Sequence, residues 1–190
     1  MIDPNVLRAE PALATYADAD VAWFAEAGRA LSYASGAVFA QQGTPARSCF
    51  LVLRGKVDRV RAVQKRLFVV GTERAGTLVG FAELLEGKVR DENLAASGDA
   101  VVLELGADTF ARLMSTTTPI SLRFQQHVAT SAAAMLRGAT ERLNVLSDQR
   151  ADIYERLAGD AKEGPGGELD SLDSDPGLLF ELAFDPRKQR

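Results

Sequence analysis

The residues best suited to binding a ligand lie between Gly76 and Asp91. Gly76 and Gly80 stand four positions apart, a short apolar stretch able to form one helical turn follows, and Arg90 comes ten residues after Gly80. The start of a helical turn presents unpaired N–H groups and a partial positive charge, which can hold an anion. An arginine at the same place would add a planar, bidentate partner for phosphate. The pattern predicts an anion site, and a tight corner with a solvated arginine is the alternative.

Short apolar runs separated by glycines surround this segment, from Leu31 to Leu105. Several short strands with turns every eight to twelve residues are typical of an antiparallel barrel, sandwich or jelly roll, so we predict a mainly β fold with flanking helices. Cys49 opens one run and is interpreted as a buried thiol. The basic residues between positions 54 and 66 are interpreted as a solvated hairpin. The clearest predicted strands cover residues 38–40, 49–53, 57–63, 67–70 and 101–105.

The glycines carry a resemblance to a known family. From about Leu31 to about Met114 the chain resembles the cyclic nucleotide-binding domain family, whose members include the catabolite activator protein. The resemblance implies an antiparallel β-roll, a phosphate-binding cassette and a long C-terminal helix. It also implies a cyclic nucleotide as the candidate ligand and no other cofactor. The glycines that fall where the family places its turns are Gly36, Gly43, Gly55, Gly76 and Gly80.

The predicted cassette departs from the family at two positions. Phe81 stands where the family carries the glutamate that contacts the ribose, and Asp91 stands where it carries a small or hydroxyl residue beside the phosphate. A carboxylate about 4 Å from a phosphate costs about 4 kcal/mol at an effective dielectric constant near 20. Glu83 should face away, because two residues on a helix correspond to about 200° of rotation. We therefore predict an altered or lost pocket with the candidate residues Gly80, Phe81, Ala82, Arg90 and Asp91.

Apolar residues at a seven-residue spacing predict a long amphipathic helix over residues 116–158. A helix of this length cannot be covered by a small roll, so we predict a parallel homodimer, and a break near Ser147 is the alternative. His127 has no second histidine or cysteine at ligand spacing and is interpreted as an ordinary helix residue. The resemblance places Leu136 and Arg137 near the lid over the purine. The predicted dimer seam contains Leu122, Ala129, Ala132, Leu136, Ala139, Leu143, Leu146, Ile153 and Leu157.

The remaining segments are divided by pattern and composition. Residues 1–30 are predicted to be a helical segment that packs on a roll at residues 31–115, in which Asp108 caps a helix over 109–115. In the first segment Pro4 begins a helix, Asp18 and Asp20 can cap a second one, and Gly28 ends it. Residues 159–190 read as an acidic, glycine-rich linker and an apolar tail. Residues 176–184 of this tail are predicted to dock to an unidentified protein partner.

Composition narrows the predicted function. The net charge of −4 and the pI near 5.1 argue against binding to DNA or to an anionic membrane. One cysteine, no signal sequence and no long apolar span predict a cytoplasmic protein. The sequence contains no metal-ligand spacing, P-loop or nucleophile motif, so we predict that it is not an enzyme. We predict a homodimeric regulatory or adaptor protein with an altered pocket. The alternative is a sensor of cyclic AMP or cyclic GMP whose ligand repositions the C-terminal helix.

Overall fold

The strands form two antiparallel sheets that pack as a roll. A computed structural model describes the backbone of residues 2–64 and 66–162, and the side chains of the same residues except 151 and 154–162. The strands are β1 (Arg29–Tyr33), β2 (Val38–Ala40), β3 (Ser48–Arg54), β4 (Lys56–Val63), β5 (Arg66–Arg74), β6 (Leu78–Val79), β7 (Asn93–Ala96) and β8 (Ala100–Gly106). One sheet has the order β1-β8-β3-β6 and the other has the order β2-β7-β4-β5. The predicted mainly β roll with flanking helices is confirmed.

Helices cover the open sides of the described roll. They are α1 (Pro4–Arg8), α2 (Asp18–Ala27), α3 (Ala82–Glu86), α4 (Ala107–Ser115) and α5 (Pro119–Lys162), with a short 3-10 turn at Pro11–Leu13. Pro4 begins α1 and Gly28 follows the end of α2, as predicted. The helical pattern predicted between these two residues is interrupted, because Pro11 starts a separate turn.

Two predicted helix caps are wrong. Ala17, not Asp18 or Asp20, is the residue before α2, and the Asp20 carboxylate accepts a hydrogen bond from the Ala17 N–H at 2.9 Å from inside the first turn. Gly106 likewise precedes α4, so Asp108 lies in the first turn of that helix instead of capping it. In both cases the carboxylate is still placed at the positive end of the helix, where a negative charge is stabilising.

Strand predictions succeeded where the apolar runs are long. The five predicted strands are confirmed within β2, β3, β4, β5 and β8. The strands β1 and β6 lie outside the predicted strands, and β1 begins inside the segment that was predicted to be helical. The strand β7 was also missed, because Asn93-Leu94-Ala95-Ala96 is short and poor in β-branched residues. This strand nevertheless lies between β2 and β4 in the sheet, and its burial comes from that position.

Two apolar clusters form the interior. One lies inside the roll and joins side chains of both sheets, including Phe50, Val79 and Leu94. The other joins the N-terminal helices to the outer face of the first sheet and to α5, through Phe24, Phe124 and the buried thiol of Cys49. Burial raises the pKa of Cys49 to about 12, so this thiol stays protonated. The interpretation of Cys49 as a core residue is confirmed.

The helix α5 is assigned without interruption from Pro119 to Lys162, so the alternative break near Ser147 does not occur. The described residues divide into two units, residues 2–144 and residues 145–162. In the first unit, α5 turns one face toward the roll. The buried or half-buried residues of this face recur every three or four positions, and they are Ser121, Phe124, Val128, Ser131 and Met135.

Candidate ligand-binding cassette

Arg90 is held in place by its own backbone. Its N–H donates to the carbonyl of Thr44 at 2.8 Å, and its carbonyl accepts from the N–H of Gly43 at 2.8 Å. Pro45 and Val89 form a bridge next to these bonds. The loop between β2 and β3 therefore fixes the residue that the resemblance assigns to the phosphate, and its side chain enters the interior with only 4% of the residue exposed.

The guanidinium of Arg90 is packed against the roll from three sides. Its Nη2 donates to the carbonyl of Ser48 at 2.6 Å, and its Cζ lies 5.5 Å from the centre of the Phe50 ring. Gly80 has a φ of +67°, and a Cβ built on it would come within 2.5 Å of Arg90 Nη1. Glycine is required here both for its conformation and for the space that the guanidinium occupies.

The charge of Arg90 has no carboxylate within ion-pair distance in the described part of the chain. Within the described residues its side chain forms no ion pair, and burial lowers the pKa of Arg90 below its usual value. A buried cation is costly unless it is paired, so this arrangement is suited to receiving an anion. The role of Arg90 as a phosphate ligand stays a prediction.

Phe81 does not contribute to a ligand pocket in this structure. Its side chain is 4% exposed and belongs to the apolar cluster that joins the N-terminal helices and α5. The neighbouring Ala82 is exposed and begins α3. The position that carries a ribose-binding glutamate in the family is therefore an apolar core position in this chain.

The two carboxylates of the cassette have different partners. The Asp91 side chain is 70% exposed, and its Oδ2 lies 3.7 Å from Arg61 Nη2. Glu83 was expected to face away from the direction of position 81, and the structure agrees, because Phe81 is buried whereas Glu83 is half-buried. Phe81, the residue before α3, has a helical φ of −91° and ψ of −25°, so the rotation argument applies to these two positions. The Glu83 Oε1 accepts a hydrogen bond from the Asp91 N–H at 3.4 Å, a contact that spacing did not predict.

At the predicted lid, the residue that reaches the roll is Met135. It packs against both apolar clusters, whereas Leu136 is 70% exposed and Arg137 is exposed. The assignment of Leu136 and Arg137 to a purine lid stays a prediction, and both side chains are exposed to solvent.

His127 is not an ordinary helix residue, in contrast to our interpretation. One ring nitrogen, Nε2, lies 2.7 Å from the carbonyl of Gly76, and the other, Nδ1, lies 3.0 Å from the hydroxyl of Tyr16. Burial lowers the pKa of His127, which favours the neutral ring. A neutral imidazole can donate to the carbonyl and accept from the hydroxyl at the same time. His127 thus joins α5 to the N-terminal segment and to the turn that leads into the cassette.

One helical turn later, Ser131 makes a second polar contact with the same segment. Its hydroxyl accepts from the N–H of Leu78 at 3.1 Å and is buried. His127 and Ser131 therefore fix α5 against Gly76 and Leu78, two to four residues before Gly80. We call these two residues the helix anchor.

The basic hairpin contains a paired arginine. Arg59 donates through Nε to Glu92 at 2.5 Å and through Nη1 to Glu73 at 3.2 Å. The side chain of Arg59 is 18% exposed and those of the two glutamates are 13% exposed. The interpretation of the whole hairpin as solvated is therefore wrong for Arg59, while Arg61 and Arg66 are exposed as expected.

The predicted dimer seam is an exposed stripe on α5. Leu122, Leu136, Leu143, Leu146 and Ile153 are each more than half exposed in the single chain. Ala129 and Ala132 are also exposed, and Ala139 is half-buried. Leu157 and the tail at 176–184 lie outside the side chains that the structure describes.

Other features of the described residues set limits on chemistry. No group of three His, Cys, Asp or Glu side chains among them could hold a metal ion. Within the same residues, no helix is both long and apolar enough to cross a membrane. A cleft of about 550 Å³ lies beside His127, and one of about 830 Å³ lies beside Glu10 and Arg54. Neither cleft is lined by residues of the cassette.

Comparisons with known proteins agree with the fold. Residues 30–117 match the model of the cyclic nucleotide-binding domain family. Among curated protein sequences, none matches this chain. Several solved structures do match this chain. The c-di-GMP responsive global regulator CLP of Xanthomonas campestris has a TM-score of 0.63 at 20% identity, over 78% of this chain and 74% of that chain.

Two further structures carry the same fold. A cyclic nucleotide-binding domain from Methylobacillus flagellatus KT has a TM-score of 0.59 at 16% identity, over 67% of this chain and 72% of its own. The regulatory domain of Toxoplasma gondii PKA with cAMP has a TM-score of 0.52 at 20% identity, over 67% of this chain and 48% of its own. The resemblance read from the glycines is confirmed, because residues 30–117 match the cyclic nucleotide-binding domain model and the solved structures share the fold.

Proposed function

We propose that this protein is a non-enzymatic regulatory or adaptor protein with an altered cyclic-nucleotide pocket, acting as a homodimer through α5. The observation that carries the proposal is Phe81, which is buried in the core where the family has its ribose-binding glutamate. A site that binds a ribose hydroxyl without this partner leaves polar groups of the ligand unpaired, which is expensive. Arg90 alone supplies a phosphate partner without that second contact.

Relatives do not identify a ligand by themselves. CLP is described as responsive to c-di-GMP, and the Toxoplasma domain was solved with cAMP. The same fold therefore serves different ligands, and the residues of this cassette must decide. Their chemistry supports an altered specificity.

The homodimer is supported by the exposed stripe of α5. Leucines and alanines at a seven-residue spacing present the pattern that pairs helices in a coiled coil. Exposed stripes of this length are unusual in monomers, because each large apolar side chain left in water forgoes about 1.5–3 kcal/mol. We include in the proposal a cytoplasmic location and recruitment of a protein partner by residues 176–184, which rest on the sequence.

Calorimetry tests the pocket. Cyclic AMP and cyclic GMP are titrated into the full chain and into Arg90→Ala, with Arg61→Ala as a matched control on an exposed arginine. We expect no binding of either nucleotide in the micromolar range. Micromolar binding that Arg90→Ala abolishes and Arg61→Ala leaves intact would contradict the altered pocket.

Light scattering tests the dimer. The mass of the full chain is measured at protein concentrations from about 1 to about 100 µM, a range that covers common dimer affinities. We expect a dimer that Leu143→Lys converts to a monomer, because a lysine in a coiled-coil seam is costly. Arg137→Lys is the control with an unchanged charge. A monomeric wild-type chain at the highest concentration would contradict this part of the proposal.

A sensor is the second candidate, and one observation favours it. The guanidinium of Arg90 is buried without a carboxylate partner among the described residues, and an unpaired buried cation favours the binding of an anion. In a sensor, ligand binding would act on α5 through Met135 and the helix anchor. The calorimetric experiment decides between the two candidates.

A further inference from the structure

The hairpin formed by β4 and β5 extends beyond the sheet that contains it. The ladder between β4 and β7 ends at Val60, whereas the ladder between β4 and β5 continues to Val63. Beyond Val60 the two strands therefore form a two-stranded ribbon. Gln42 fixes this ribbon at one position, because its side-chain amide accepts from the N–H of Ala62 at 2.7 Å and donates to the carbonyl of Ala62 at 3.3 Å. We call residues 61–63 and 66–69 the hairpin tip.

Large apolar side chains are exposed on both faces of the hairpin tip. Side chains alternate along a strand, so Leu67 and Val69 share one face of the ribbon. Phe68 lies on the opposite face, together with Val63 of the paired strand. Each of the four is about half exposed or more, from 47% for Val63 to 71% for Leu67. Adjacent exposed apolar side chains of this kind mark a surface that binds a protein or a membrane.

The charge of the hairpin tip is positive. Residues 61–70 contain three basic residues and no acidic one. Arg61 lies 3.7 Å from Asp91, whereas Arg66 is exposed and forms no ion pair within the described residues. Salt screens charges that lie more than about 10 Å from a surface, so the net charge of −4 of the whole chain does not govern attraction at the tip. The expectation that net charge excludes an anionic membrane therefore does not extend to this hairpin.

Exposure on two faces favours a lipid surface over a protein partner. A folded partner that covers one face of a ribbon leaves the apolar side chains of the other face in water. The interfacial region of a bilayer surrounds a segment that enters it, and it offers apolar contacts on all sides. Anionic headgroups also attract basic side chains, whereas the same hairpin of a second copy would bring two positively charged tips together.

We propose that the hairpin tip binds the surface of a bilayer that contains anionic phospholipids. Leu67, Phe68 and Val69 enter the boundary between headgroups and acyl chains, and Arg66 contacts the headgroup phosphates. A few apolar side chains and one arginine give a reversible, peripheral attachment. The inference goes beyond the proposed function, and it is independent of whether the cassette binds a nucleotide.

Vesicle flotation tests the apolar contribution. The full chain is mixed with vesicles of phosphatidylcholine and phosphatidylserine. We expect the double variant Leu67→Ser/Phe68→Ser to bind these vesicles at least about tenfold more weakly than wild type, because it removes the largest side chains that enter the bilayer. Val6→Ser is the matched control, since Val6 is an exposed apolar residue of α1, and it should bind like wild type.

The charge contribution is tested with the same assay. We expect wild type to bind vesicles of phosphatidylcholine alone at least about fivefold more weakly, because each basic residue near an anionic surface contributes about this factor. Arg66→Gln should weaken binding to the anionic vesicles by a similar factor. Arg74→Gln, at the opposite end of β5, removes another exposed arginine and should have no effect.

Fluorescence shows whether the tip enters the bilayer. The emission maximum of Phe68→Trp should move to a shorter wavelength when anionic vesicles are added, whereas that of Val6→Trp should stay unchanged. The wild-type chain, which contains Trp23 as its single tryptophan, supplies the background. An unchanged emission of Phe68→Trp while the chain is bound to vesicles would overturn the inference.

The remaining outcomes are equally decisive. Absence of wild-type binding to anionic vesicles, or a double variant that binds them like wild type, would overturn the inference and leave a protein as the occupant of the tip. A double variant that instead has a lower mass in light scattering would assign the tip to contacts between copies, which would also overturn it. Thermal melting shows whether the double variant is folded. If it is not, the comparison of Arg66→Gln with Arg74→Gln decides.

Discussion

Two arginines of the roll, Arg59 and Arg90, differ in the ion-pair partners of their guanidinium groups. Arg59 lies between Glu73 and Glu92, and the three side chains form a closed, mostly buried cluster. Arg90 is buried more deeply, yet it meets a carbonyl and an aromatic ring and forms no ion pair within the described residues. Arg59 is paired within the chain itself, whereas Arg90 has no ion-pair partner among the described residues. The difference distinguishes a structural arginine from a candidate for anion binding without reference to any relative.

The largest loss of stability should come from removing the cation of the cluster formed by Arg59, Glu73 and Glu92. Arg59→Met leaves two mostly buried glutamates without their cation, and we expect the free energy of unfolding to fall by about 3 kcal/mol. Urea denaturation measures it. Arg61→Met, which removes an exposed arginine 3.7 Å from Asp91, should change stability by less than about 1 kcal/mol. Equal losses in the two variants would contradict the contrast between them.

A smaller effect is expected at the cassette. Arg90→Met removes a buried charge that has no carboxylate partner and keeps a contact with Phe50, so the free energy of unfolding should change by no more than about 1 kcal/mol in either direction. The same urea measurement applies. A loss as large as that of Arg59→Met would show that Arg90 is structural and would remove the support for an anion site.

The smallest effect should be a dependence on pH at the helix anchor. The pKa of His127 is lowered by burial, so the unfolded chain binds more protons than the folded chain below about pH 6.5. The stability contributed by the neutral ring is therefore present above that pH and is lost as the pH falls through the folded pKa. Urea denaturation at pH 7.5 and 5.5 should show a decrease that is reduced in His127→Gln. A larger decrease in the variant than in wild type would be the wrong sign.

The β-roll could be predicted from the sequence because the patterns that indicate it are local. The runs at residues 49–53 and 101–105 are apolar throughout, and each turn glycine stands beside the strand it ends. The position of Arg90 followed from the same register. The partners of His127 could not be found in this way, because Tyr16 lies 111 residues away and Gly76 lies 51 residues away.

The chemistry of the cassette was predicted less well, and for a physical reason. Spacing and the resemblance identified Phe81, Arg90 and Asp91, but they did not give the partners of the carboxylates. In the structure the Asp91 N–H donates to Glu83 and the Asp91 side chain lies near Arg61, which belongs to β4 of the roll. The resemblance also placed Leu136 near the lid, while the side chain that meets the roll is its neighbour Met135.

The face of α5 that packs on the roll and the stripe left in water are neighbours in sequence. Ser121, Val128, Ser131 and Met135 are each followed directly by a residue of the stripe, and one residue on a helix corresponds to about 100° of rotation. Both sets lie on one continuous helix, so their orientations are coupled. A rotation of α5 that moves Met135 away from the roll would turn Leu136 through the same angle. Such a rotation would change the side chains that α5 presents to a second helix.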